Sequence, residues 1–279
     1  MPEQEYGPPV ARLFQMGKVE WGVEWEGSAP DYVRDLGLAS EHVPALIEIA
    51  LRQADLDDFP ADDAGWAPVH AWRALAQLRA VEAVEPLLTL QHTLDKSGDE
   101  FHFYDFPVVF GMIGPPAIPA LAAYLHNPEN PLYPRVNVGE GLCNVGLRYP
   151  EARSEALAPL GEQLAHFEEN DYELNGFLVV DLTRLKAVEA AETIERAFAA
   201  NRVADDISGS WGTVRQELGV AGLGLAADER PRPPLPPSER FGWGMGPQDR
   251  GPRDRKKEKA AKAKRKQQAK AKKRNRKGK

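Results

Sequence analysis

The chain has a single cysteine, Cys143, in 279 residues. One thiol builds no disulfide framework, which points to a reducing compartment and a cytoplasmic setting. Cys143 lies in the apolar run Gly141-Leu142-Cys143-Asn144-Val145, so it is expected to pack as a small inert hydrophobe. The six histidines are His42, His70, His92, His102, His126 and His166. They form no i, i+4 pair, no H-E-x-x-H and no His-Glu dipeptide, and no C-x-x-C occurs. The sequence therefore predicts neither a metal site nor a cofactor. G-x-S-x-G, a Walker loop and G-x-G-x-x-G are also missing, and Gly139-Glu140-Gly141 alone says little about nucleotides. No catalytic residue is assigned, and an enzyme is the less expected outcome.

Long apolar runs are scarce as well. Phe106 to Leu125 is uncharged, but Gly114-Pro115-Pro116 breaks its middle. It reads as two short buried helices and no membrane span. Met1-Pro2-Glu3-Gln4-Glu5 has neither the basic nor the apolar region of a signal peptide. Asp55, Asp57, Asp58, Asp62 and Asp63 crowd one stretch without the spacing of a calcium loop, and are expected to be a solvated loop.

Charge is present but unevenly placed. Residues 250–279 hold 17 Lys and Arg against Asp254 and Glu258, a balance of +15. The remainder carries 18 basic and 40 acidic residues, a balance of −22. The tail has no large apolar residue and builds no core, so disorder is expected there. Arg253, Arg255, Lys256, Lys257, Lys262, Lys264, Arg265, Lys266, Lys272, Lys273 and Arg274 are its candidate polyanion contacts. Ahead of it, residues 221–249 include Pro231-Arg232-Pro233-Pro234-Leu235-Pro236-Pro237 and read as a stiff Gly/Pro-rich linker.

What organises the rest is a repeat. Leu75-Ala76-Gln77-Leu78-Arg79-Ala80-Val81-Glu82-Ala83-Val84-Glu85-Pro86-Leu87 returns 107 residues later as Leu182-Thr183-Arg184-Leu185-Lys186-Ala187-Val188-Glu189-Ala190-Ala191-Glu192-Thr193-Ile194. Weaker copies begin at Met112 and Val145, and a half copy begins at His42. Three steps of about 36 residues fall among the periods of two-helix repeats. Within a copy, Val69, Trp72, Leu75 and Ala76 share one helical face, and Pro68 suits a helix start. Ser40 is expected to cap the second helix of the first pair. The pattern predicts an all-α chain: a lead-in or cap over 1–27, about five helical pairs over 28–220 forming an α-solenoid, then the linker and tail. Trp21 and Trp25 are expected to cap the open end of the first pair, with a stacking or peptide-binding platform as the alternative.

The segments from Leu78, Ile113 and Leu185 resemble HEAT-like repeats, in particular the short bacterial type also found in phycobilisome lyases. The resemblance covers about residues 30 to 220. It implies a helical-repeat fold and says almost nothing about function. Such repeats often carry an Asp in the turn. Here Ala80, Pro115 and Ala187 stand there, which puts an Asp ladder in doubt.

Polar residues that interrupt the first helices are the candidates for a lined groove: His70, Arg73, His102, Asp105, Arg135, Asn137, Glu140, Asn144, Asn175, Asp181 and Arg184. The alternative for the same residues is solvated faces and hydrogen bonds between repeats. The sequence as a whole suggests a non-catalytic scaffold or adaptor binding a protein or peptide, favouring a basic partner. The alternative is a nucleic-acid- or ribosome-associated protein tethered by its tail, and a lyase-type enzyme comes third.

Overall fold

A computed structural model describes residues 6–19, 25–55, 62–97 and 101–220, all within one compact unit. Trp21, Asp57, Asp58, the linker and the basic tail lie outside the described residues. No strand occurs among the described residues, and the all-α expectation is met.

After a 3-10 turn at Val10–Gln15, the helices are α1 (Trp25–Ser28), α2 (Tyr32–Leu36), α3 (Val43–Leu51), α4 (Ala67–Gln77), α5 (Val84–Ser97), α6 (Phe101–Ile113) and α7 (Ile118–His126). They continue as α8 (Leu132–Arg148), α9 (Arg153–Ala165), α10 (Tyr172–Arg184), α11 (Ala191–Ala199), α12 (Asp205–Ser208) and α13 (Trp211–Leu218). Helices α4, α6, α8 and α10 touch in succession, and so do α3, α5, α7, α9 and α11. Helices α7 and α9 also pack on α8.

The repeat is visible as a turn. Five times, a three-residue 3-10 turn leads straight into an α-helix: Ser40–His42 into α3, Val81–Ala83 into α5, Pro115–Ala117 into α7, Pro150–Ala152 into α9 and Val188–Ala190 into α11. The middle residue is Glu41, Glu82, Pro116, Glu151 or Glu189, and an acid there faces the positive end of the helix that follows. The last residue is a buried alanine in four of the five, Ala83, Ala117, Ala152 and Ala190, where a larger side chain has no room. Ahead of two of these turns, Arg79 and Lys186 both hold left-handed φ, 54° and 53°. They are the same position of the long repeat. Ser40 does not cap α3: it opens the 3-10 turn, and His42 Nδ1 accepts the Ala39 N–H at 2.9 Å instead.

Gly114 lies directly before the turn between α6 and α7, one residue later in the repeat than Arg79 and Lys186, with φ of 90°. A Cβ there would lie 2.7 Å from the Tyr149 ring, whose hydroxyl donates to Met112 O at 3.0 Å. Strain and overlap act together at this site. Gly114→Ala should lower stability by about 2–3 kcal/mol, read from urea unfolding. A loss below about 0.5 kcal/mol would mean that the ring simply moves aside. Segments His102–Ile113 and Pro115–His126 meet at 111°, and no single helix among the described residues is long and apolar enough to cross a membrane.

The first helices approach closely. A Cβ at Gly111 of α6 would come within 2.7 Å of the Asn144 Cβ on α8, and Gly141 of α8 faces Phe110. The glycines around Glu140 therefore serve helix packing. Trp66, Trp72, Phe106 and Phe110 are buried in the core. At the far end Phe198 of α11 packs on Trp211 of α13, ring centroids 5.8 Å apart.

Candidate functional site

Helix α4 is buried from Ala67 to Ala76, polar residues included. The apolar face seen in the sequence meets the core. The opposite stripe, His70, Arg73 and Gln77, meets the chain's own N-terminal segment. His70 Nε2 donates to Gly17 O at 2.9 Å, and its Nδ1 accepts from the Tyr32 hydroxyl at 2.8 Å. This pairing requires a neutral ring. Burial pushes its pKa down to about 4; the Gly17 bond opposes the shift and the Arg73 charge adds to it.

Arg73 makes two bonds to Asp105 on α6, Nε–Oδ2 at 2.7 Å and Nη2–Oδ1 at 3.0 Å. Trp72 Nε1 donates to the same Oδ2 at 2.7 Å. Both charged side chains are 2% exposed. The guanidinium lies over the Trp25 ring, 4.7 Å from its centroid. Trp25 is buried, and Glu26 beside it pairs with Arg148 at the end of α8. His102 is buried with its ring edge-on to Phe106, 5.8 Å between centroids.

A second cluster joins α8 to α10. Arg184 donates to Glu140 Oε1 at 3.2 Å and Asn144 Oδ1 at 2.9 Å, and lies 3.5 Å from Asp181 Oδ1. Asn144 Nδ2 reaches back to Pro107 O on α6 at 3.1 Å. Burial holds the Asp181 carboxyl well above the usual range, Glu140 adds to the shift, and Arg184 opposes it. The Cys143 thiol, 3.5 Å from Asp181 O, is pushed up by burial too. A buried thiol so hard to ionise is a poor nucleophile.

The remaining candidates separate. Arg135 Nε donates to Leu125 O at 2.8 Å, at the C-terminal end of α7. Asn137 is fully buried, and neither amide atom finds a hydrogen-bond partner among the described residues. Asn175 donates to Phe167 O and Arg202 O at 2.9 and 2.7 Å and accepts from Asn170 at 2.8 Å. Thus His70, Arg73, His102, Asp105, Arg135, Asn137, Asn175 and Asp181 are buried. That corrects the expectation of a solvent-lined groove. They break the apolar periodicity because neighbouring helices or the lead-in cover them, so each needs an internal partner. Only Glu140, Asn144 and Arg184 of the eleven reach solvent.

Sequence reasoning missed the residues that join one pair to the next. Arg153 of α9 donates to Leu185 O at 3.0 and 2.8 Å and to Glu189 at 2.9 Å. Arg202 donates to Phe167, Glu168 and Asn170 carbonyls at 3.3, 3.1 and 2.8 Å, and Lys186 to Glu217 O at 2.8 Å. Cations thus take up orphan carbonyls at helix C-termini, where the dipole favours them. The signal in the sequence was faint: basic residues recur near helix ends, as they do in most proteins.

No group of three or more His, Cys, Asp or Glu is placed to hold a metal ion among the described residues. The arrangement braces helices against one another, and its solvent side offers guanidinium, carboxylate and amide groups for recognition. No protein-family model, curated protein or solved structure matches this chain.

Proposed function

We propose that the chain is a HEAT-like α-solenoid working as a non-catalytic scaffold that binds a protein or peptide, with a preference for basic segments. The observation that carries this reading is the five-fold turn, with Glu41, Glu82, Glu151 and Glu189 at one position of four copies. Stacked repeats of this kind form extended surfaces suited to partners. The succession of first helices on one side and second helices on the other supports the solenoid. The balance of −22 outside residues 250–279 supports the choice of partner. A cytoplasmic setting goes with the single cysteine.

The test is titration of a synthetic lysine–alanine peptide into the chain shortened after Arg230, at low and high salt. Binding at low salt that weakens at least about ten-fold at high salt is the expected result. Absence of binding at low salt would sink the preference for basic partners.

A second reading has its own observation, 17 cations in residues 250–279. It makes the tail a sequence-blind tether to RNA, a ribosome or DNA, and the helical body a carrier of cargo. Generic RNA should bind the full chain with a steep salt dependence and fail to bind the chain ending at Arg230. Equal binding by both would remove the tail from this role.

A further inference from the structure

The polar stripe of α4 is spent on one segment. His70 holds Gly17 O at 2.9 Å. Gln77 Nε2 donates to Pro30 O at 2.9 Å, and its Oε1 accepts the Tyr32 N–H at 2.7 Å. These bonds pin the segment at two points. Between them Arg73 meets Trp25, and Glu26 meets Arg148. A cap over the open end of the first pair has no need to go further than α4. This segment reaches α8, two first helices along.

The receiving side is built independently of what sits on it. Asp105 grips Arg73 through two bonds, which fix the plane of the guanidinium whether or not an aromatic ring lies on its face. Such preorganisation lowers the cost of binding. Arg148 is 39% exposed and adds a second cation on a chain whose body is otherwise acidic. The two cations are engaged by consecutive residues, an aromatic and then a carboxylate. The outer ion pair adds little by itself, so the hold on the tip rests mainly on the buried Trp25 ring.

We propose that the face of α4, α6 and α8 beneath Trp25 is a recognition groove for a partner segment bearing an aromatic residue followed directly by a carboxylate. Trp25 and Glu26 occupy it in the free chain and act as the built-in competitor. This rests on the scaffold reading and adds a second surface to it, distinct in charge from the acidic one.

The experiment uses the full chain and a synthetic peptide with the sequence of residues 20–31. The Trp25→Ala chain should bind this peptide at least about ten-fold more tightly than the parent, whose groove is occupied. A peptide carrying Trp25→Ala should lose that gain, and adding Arg148→Glu to the Trp25→Ala chain should reduce it. Equal or absent binding by the parent and a still-helical Trp25→Ala chain would overturn the proposal. Should Trp25→Ala fail to fold, Trp25→Leu keeps apolar bulk at this position and gives up the contact with the Arg73 guanidinium. That chain should still gain binding over the parent, and no gain would overturn the proposal as well. Lysine–alanine peptide binding by the same chains reports on the scaffold reading separately. If it persists while the aromatic–acidic peptide fails, the groove alone is lost.

Discussion

Asp105→Ala should cost about 3–5 kcal/mol of folding stability, among the largest effects of any single substitution in this chain. The carboxylate neutralises Arg73 through bonds of 2.7 and 3.0 Å and accepts the Trp72 indole N–H at 2.7 Å. Removing it leaves a guanidinium that is 2% exposed without its counter-charge, and strands a buried N–H as well. Arg73→Met alone leaves a buried carboxylate and should cost a similar amount. The pair Arg73→Met with Asp105→Leu removes both charges and should recover much of the loss, because an apolar pair of similar volume carries no desolvation penalty. Urea unfolding of the two singles and the double gives the coupling directly. If Asp105→Ala costs less than about 1 kcal/mol, the pair behaves like a surface salt bridge and the buried assignment fails.

The second large effect is a dependence on pH centred on His70. Its ring is neutral in the fold, with a pKa pushed down to about 4 against an ordinary value of 6.5. A depressed base binds fewer protons folded than unfolded, so stability rises with pH. The contribution is fully present above pH 6.5 and is lost as pH falls through that value towards 4. A gap of this size is worth about 3 kcal/mol. Protonation would turn Nδ1 from the acceptor of the Tyr32 hydroxyl into a donor. Asp181 acts in the opposite sense: its carboxyl favours the protonated form in the fold, so its contribution weakens as pH rises. Comparing the parent with His70→Gln isolates the histidine. The variant should lose most of the stability change between pH 7 and 4 that the parent shows. Parallel pH profiles would show that His70 does not titrate between these limits.

The residues of the second helices explain how much of the fold was legible. Val84, Leu87 and Leu88 are buried at helical spacing, and Glu82 and Pro86 mark the start of the helix in the sequence itself. Local rules therefore give the helices and their turns. Lone glycines within helices were harder. Glycine is a poor helix former, and the purpose of Gly111 and Gly141 is visible only once α6 and α8 lie side by side.

For the site, composition marked the candidate residues as interruptions and left open whether they meet water or other helices. His70, Arg73 and Asp105 stood out because they interrupt apolar faces. An interruption does not reveal whether the polar group meets water or a partner from elsewhere in the chain. Asp105 is 32 residues from Arg73, and Arg148 is 122 residues from Glu26. Helical periodicity reports on neighbours three and four residues apart and is blind to such separations. By itself, then, the sequence determined an all-α chain, the repeated turn and the division of charge, because each follows from local sterics, helix dipoles and composition. Tertiary structure alone decided that the polar stripe of α4 is covered by the lead-in, that Arg153 and Arg202 tie later helices to earlier ones, and that burial raises the Asp181 carboxyl and lowers the His70 ring. Those outcomes depend on which distant segments exclude water from one another, and that is settled only by packing.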